Sequence, residues 1–513
     1  MSHDALVIGA GPNGLAAAIT LAQGGRSVLV LEAAARAGGA VATEQLTLPG
    51  FLHDTYSSVY PAAAASPVFA AMELERHGLR WVHPRYCYAH PLPDGRAGAL
   101  ARSLDETAVG LDALGAGDGA AWRDFARPYL DAYPQLRDTM LGGFPPVKGA
   151  LGLLRKRGPN GMLDLARLLL SSAQALSGEL FGSGGARAWL YGSAMHGDVP
   201  PTGAGSAIAA AYLNFLGHAV GWPSPEGGAG RLADALVSKL RAEGGALRTE
   251  ARVERIAVER GRVVGVELAG GERVAGRLVI ADVMPGALAA MVGDAFPGGY
   301  LRAMRRWRHG PATLKVDWAL SDPIPWEAPA AREAGTVHVG GTDQEVLRAT
   351  MPHVDPVLPE QPFMLAGQQS VADPTRAPAG QHTAWAYTHG PHDADWEGEQ
   401  ERMVERMEAQ IERFAPGFRD RILARHVLLP RDLQARNPNL VHGDVGGGSY
   451  TLDQIVFRPV PSLTPYRTPV RGLYLGSAAT FPGGAVHGAP GHAAARLALA
   501  EGRARRALPF VKP

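Results

Sequence analysis

Cysteine is almost missing: Cys87 stands alone among 513 residues. One thiol cannot build a disulfide framework, a thiolate metal cluster or a redox-active pair within the chain, so enzymes that work through paired cysteines are excluded. A solitary cysteine reads instead as a small buried hydrophobe. Long apolar runs are missing too; no stretch of about 18 residues would cross a bilayer as a helix. The first apolar stretch, Ala5 to Ile8, is too short for a signal peptide and leads straight into glycines, which predicts a cytoplasmic protein. Excess charge of one sign is also absent. Fifty Lys and Arg residues face 49 Asp and Glu, so no overall field draws nucleic acid. No His/Asp/Glu spacing suggests a metal site.

What is present is a large apolar fraction, 46% of the residues, in a chain too long for one core. Two or three domain-sized units are expected at about 100–200 residues each. The first structural signal comes at once. Residues 4–9 read DALVIG, a run fit for a buried parallel strand, followed by G-x-G-x-x-G at Gly9, Gly11 and Gly14. Pro12 and Asn13 open an alanine-rich helix that reaches Gly24, and SVLVLE then forms a second buried strand ending in Glu32. Each part has a physical task. Gly9 allows a tight turn, Gly11 lets the backbone approach a pyrophosphate, and Gly14 permits close helix–strand packing. The helix N-terminus offers N–H groups to phosphate, and Glu32 can accept from ribose hydroxyls. A lone glycine fingerprint is weak, but here strand, helix, second strand and terminal acid all stand in order.

After Glu32 and Ala33, the residues Arg36, Gly38, Gly39 and Ala40 complete E-x-x-x-R-x-G-G-A. This resembles the second signature of flavoproteins of the glutathione-reductase structural class, among them amine oxidases and phytoene desaturases. The resemblance implies FAD, with the glycine pair and the arginine lying along its pyrophosphate. No second fingerprint follows a strand, so a separate NAD(P) domain is not expected. Ala40 departs from the Arg or Lys that amine oxidases often carry there.

Further blocks extend the likeness. GGAVATEQLTLPGF, SVADPTRAPAGQHTAWAY and YLGSAATFPGGAVHGAPGHAAA resemble the phytoene-desaturase-like superfamily, which includes carotenoid desaturases, carotenoid ketolases and the pyridine nucleotide-disulphide oxidoreductase domain-containing type. The resemblance covers most of the chain. It implies an α/β fold: a glutathione-reductase-type, Rossmann-like FAD domain with an interleaved α+β substrate domain. The FAD domain is expected from residues 1–60, 225–306 and 468–513. A mostly helical substrate part should span 61–224 and a β-sheet part 307–467. Alternation through Val253, Ile256 and Val258 and then Val263 to Val266 predicts a β-meander with turns at Arg260–Gly261 and Gly270–Gly271. In relatives the backbone near Val253 lies against adenine. Near the C-terminus, Leu473–Leu475 reads as a strand and Gly476-Ser477 as a turn. Gly483 and Gly484 should open a helix near Val486, whose N-terminus would face the flavin.

The expected activity is hydride transfer from a hydrophobic, isoprenoid-like substrate to flavin N5, as in desaturases. A flavin amine oxidase is the alternative. A non-catalytic binding protein on the same scaffold, like the Rab GDP-dissociation inhibitors, is a third reading, but it predicts a decayed glycine set. Among titratable residues, His487 is the candidate catalytic group, and a structural hydrogen-bonding role is the competing reading. Lys315 reads as an outward side chain on an alternating strand, and Asp395 as a helix cap. Residues 148–176 mix Lys148, Arg155, Lys156 and Arg157 with leucines, a pattern that suits peripheral membrane contact. Two ordinary helices with a solvated basic edge are the plainer account.

Overall fold

The computed structural model describes residues 3–351 and 357–507. The strand Ala5–Ile8, the helix Pro12–Gln23 and the strand Val28–Leu31 form the opening β-α-β unit. Proline occupies the first turn of the helix, where its missing N–H costs nothing. Every residue from Gly14 to Leu21 is buried, because the helix is pressed between the sheet and a second helix, Ala489–Ala507. That packing explains the alanines and glycines on both. A Cβ placed on Gly491 would stand 1.8 Å from the carbonyl oxygen of Asn13.

The sheet has five parallel strands in the order Leu473–Leu475, Val279–Ala281, Ala5–Ile8, Val28–Leu31, Ala246–Arg248. It is therefore assembled from stretches far apart in the chain. The meander forms as expected: Val253–Glu259, Arg262–Leu268 and Arg273–Ala275 pair antiparallel, and Arg260 and Gly261 turn the first hairpin with positive φ.

A second sheet has seven strands in the order Ile422–Leu428, Ala312–Leu320, His382–Gly390, Met364–Gly367, Ala334–Val339, Tyr86–Pro91, Ala97–Ala101. Met364–Gly367 and His382–Gly390, on either side of the DPTRAPAG turn, pair antiparallel with Leu365 opposite Tyr387. One face buries Leu314, Val316 and Trp318 with Met403, Met407 and Ile411 of the helix Gln400–Glu412. Asp395 does not cap that helix, whose N-cap is Glu399; the Asp395 carboxylate accepts from the Gly398 N–H one turn earlier. Lys315 also corrects its expectation. The strand is buried on both faces, and the Lys315 ammonium is bound to Asp317 at 2.5 Å in the interior. Burial would raise the Asp317 carboxyl, but Lys315 and His53 hold it below the ordinary range. Cys87 is buried, and that burial pushes its thiol up to about 12, so it is unreactive. The 148–176 stretch forms a helix, Val147–Leu170, broken at Gly158–Pro159, and then the start of Ala173–Leu180.

Three segments far apart in the chain are joined by a buried ion network. Arg376, in the DPTR turn, donates from Nη1 to Asp54 and from Nε to Asp373, both at 2.9 Å, and from Nη2 to the Pro225 carbonyl. Asp54 also accepts from Thr43 and from the Ala229 N–H at the start of the helix Gly230–Ala242, and Asp373 accepts from the Gly227 N–H. All three charged side chains are at most 2% exposed. Removing one partner strands the other charges, which costs about 3–5 kcal/mol. Arg376→Met should therefore lower the free energy of unfolding, read from denaturant titration, by an amount in that range, whereas Arg76→Met, at an exposed pair, should leave it within error.

Candidate FAD and substrate site

The opening glycines and the E-x-x-x-R-x-G-G segment meet in one cavity of about 1520 Å³. Its floor is made by two backbone turns in close contact: a Cβ on Gly39 would lie 3.0 Å from the Gly11 Cα. Gly9 and Gly38 take φ of +93° and +134°, values that side chains resist, and a Cβ on Gly14 would strike the Gly9 carbonyl at 2.1 Å. Glu32 is fixed by accepting from the Ala10 N–H at 2.6 Å and the Ala34 N–H at 2.8 Å. Each oxygen keeps a further lone pair for a hydroxyl donor.

Of the residues expected here, Gly9, Gly11, Pro12, Asn13, Glu32, Ala33, Arg36, Gly39, Ala40, Val253, Ser477, Gly484 and Val486 line the cavity. Gly14, Gly38, Gly476 and Gly483 stand behind its wall, where their missing side chains permit close packing. The C-terminal helix begins at Ala489, not near Val486. Ala485 and Val486 take positive φ, so residues 482–488 form an irregular loop before it. His487 is buried outside the cavity wall. Its Nδ1 accepts from the Ala489 N–H at 3.2 Å, its carbonyl accepts from Ser66, and burial pulls the ring down to about 4. A neutral ring turned into the helix start has the geometry of a cap.

Two features escaped sequence reasoning. Asp282 ends the strand Val279–Ala281, lines the cavity, and accepts from the Gly14 N–H at 2.9 Å. Burial, with Glu32 nearby, raises its carboxyl to about 7. The signal was available: LVIAD ends an apolar run in an acid, as VLVLE does at Glu32. The second feature is the loop Val445–Gly448, whose residues 445–447 line the cavity. Asp444 organises it, accepting from the N–H groups of Gly446, Gly447 and Gly448.

The residues present suit a dinucleotide. Arg36, Arg241 and Arg252 line the cavity and have no carboxylate within ion-pair distance among the described residues, so cations are available to phosphates. The buried Oδ1 of Asn13 has no hydrogen-bond donor and awaits one. The volume exceeds the roughly 300–1,000 Å³ of ordinary ligand pockets, leaving room beyond the cofactor.

A family model described as "Flavin containing amine oxidoreductase" matches residues 13–497. The chain belongs to that family. As a flavin-containing amine oxidoreductase family member it is an FAD-dependent oxidoreductase. It is 30% identical to pyridine nucleotide-disulfide oxidoreductase domain-containing protein 2 of Rattus norvegicus, across 96% of this chain and 93% of that one. It is 26% identical to a lycopene-forming phytoene desaturase of Paracoccus sp., across 96% of each. A putrescine oxidase structure with putrescine bound shares the fold at TM-score 0.61 and 16% identity, covering 98% of this chain and 100% of that one. The superfamily resemblance read from the sequence agrees with these matches.

Two measurements test the site. Gly11→Val places a branched side chain where a Cβ already lies 3.0 Å from the Asp282 carboxylate. It should leave the far-UV circular dichroism unchanged and weaken FAD binding about 100-fold or more, roughly 3 kcal/mol by tenfold per 1.4 kcal/mol. For Asp282, the folded carboxyl at about 7 lies above its unfolded value near 4, so its contribution to stability is full in acid and lost as pH rises to 7. FAD-free Asp282→Asn should therefore lack a fall of up to about 1.4 kcal/mol per pH unit that wild type shows across that window.

Proposed function

We propose that the protein oxidises a hydrophobic, isoprenoid-like substrate by hydride transfer, in a desaturation or a related reaction. The observation that carries this reading is the scarcity of aromatic rings in the cavity. Leu440, Val445, Ala478, Ala485 and Val486 line it together with Arg436, Asn437 and Asn439, and Tyr56 is the only aromatic among the described lining residues. An amine substrate calls for an aromatic cage, whereas a C–H bond without activating charge calls for dry apolar walls. Bound FAD supplies a two-electron acceptor for that hydride. The protein's own part is to hold the C–H bond against the ring and exclude water. The phytoene desaturase similarity supports this reading. The family description and the likeness to putrescine oxidase favour amine oxidation as the second reading.

In the proposed arrangement the FAD domain is of glutathione-reductase type. It comprises residues 1–60, 225–306 and 468–513, with the substrate domain at 61–224 and 307–467. Glu32 takes the adenosine ribose, Val253 lies by the adenine, Arg36 with Gly11 and Gly39 faces the pyrophosphate, and Ser477, Gly484 and Val486 flank the flavin ring. His487 supports that loop. Exposed Val147, Leu151, Leu154, Leu163 and Leu170 beside Lys148, Arg155 and Lys156 support contact with an anionic membrane surface, a route for a lipid-like substrate.

Anaerobic titration of the FAD-loaded protein separates the readings. Bleaching of the flavin absorbance by a polyisoprenoid, with no response to putrescine, is the expected result. Bleaching by the amine alone would transfer the assignment to an amine oxidase.

A further inference from the structure

Arg458 is a buried cation with no carboxylate within ion-pair distance among the described residues. Its side chain is fully enclosed. Nη2 donates to the Gly447 carbonyl at 2.5 Å, while Nε and Nη1 have no acceptor. The guanidinium lies between the rings of Trp307 and Tyr450, 5.1 and 4.9 Å from their centroids. Asp444 is nearby but already serves three N–H groups of the glycine loop and faces His309 at 3.4 Å. Burial pulls the guanidinium below its ordinary value, and Tyr450 and Asp444 only partly offset it.

Such a charge is expensive, and one bond to a carbonyl does not require it; a neutral donor would serve. Its position suggests the compensation. Gly446 and Gly447, on one side of Arg458, line the cavity. On the other side, a Cβ on Gly483 would lie 3.0 Å from Nη1, and Gly484 and Ala485 line the same cavity. Tyr450 ties the two segments, accepting from the Gly484 N–H at 2.8 Å and donating to the Gly446 carbonyl at 3.1 Å. The guanidinium thus stands one loop's thickness behind the cavity wall, in a low-dielectric setting where its field is little screened.

We propose that Arg458 is a positioning residue that makes this part of the cavity favour negative charge on the flavin ring. It does so by holding the Gly447 carbonyl of the glycine loop and by its own field. The proposal rests on the reading that Ser477, Gly484 and Val486 flank the ring. Uptake of a hydride, two electrons with one proton, adds one net negative charge to the ring system, and that charge is what the cation compensates. The aromatic pair keeps the guanidinium in place and excludes water without neutralising it.

The test is the midpoint potential of bound FAD, with the affinity for oxidised FAD measured in parallel. The chains compared are wild type, Arg458→Lys, Arg458→Gln, Arg458→Met and, as a control on ring placement, Ala485→Asp. The two neutral variants should lose about 10- to 100-fold of the preference for reduced over oxidised FAD. That corresponds to about 30–60 mV at roughly 30 mV per tenfold for two electrons. Arg458→Lys should stay within about threefold of wild type, and Ala485→Asp, which adds a carboxylate at that wall, should fall as the neutral variants do. A fall in Ala485→Asp with none in the neutral variants would overturn the role of Arg458 and leave the ring placement intact. Equal falls in the lysine and neutral variants would make the residue structural only. No shift in any variant would remove both the ring placement and the proposal.

Discussion

The union of Arg376 with Asp54 and Asp373 is the constraint on which the architecture turns. Three segments with no sequence neighbourhood, the 43–54 hairpin, the turn before Gly230 and the DPTR turn, are held through one guanidinium. Its fork reaches two carboxylates and a carbonyl in fixed directions, which an ammonium cannot do. Because Asp54 also holds Thr43 and the N–H of Ala229, the geometry passes directly to the segment bearing Gly38, Gly39 and Ala40. The wall of the FAD cavity is therefore set by a node on its outer side.

The cavity shows how backbone, rather than side chains, shapes a dinucleotide site. Gly11 and Gly39 bring two turns to contact, Gly14 meets the Gly9 carbonyl, and the triglycine at 446–448 folds around the Asp444 carboxylate. Side chains would fill the space the cofactor needs. Charged groups are kept at the rim, as with Arg36 and Arg252, or inside a network, as with Lys315 and Asp317.

Much of this was legible in the sequence where the signal is local. The opening β-α-β unit, the meander turns and the DPTRAPAG hairpin are set by glycine positions and short-range apolar patterns, and they appear where those patterns put them. The failures have a common cause in long-range packing. Alternation along 313–320 identifies one apolar face, but what meets the other is remote in sequence: His53 stands 3.6 Å from Asp317 and the Trp385 ring 5.9 Å from the Lys315 ammonium. The Asp54 and Pro225 partners of Arg376 are equally remote. The helix start moved to Ala489 because Ala485 and Val486 adopt left-handed backbone, which their side chains do not advertise. Asp282 is different: its signal, an apolar run ending in an acid, is local.

The pairing of Leu473–Leu475 with Val279–Ala281 bears on how the protein is made. During synthesis the nucleotide-binding sheet stays open at that edge until residue 475 has left the ribosome, and the helix that covers Asn13 emerges later still. The glycine fingerprint is among the first segments translated, yet its walls close among the last. The wall from Ser477 to Val486 is thus added only after most of the chain has been made, and until then the nascent chain carries an apolar strand edge in need of protection.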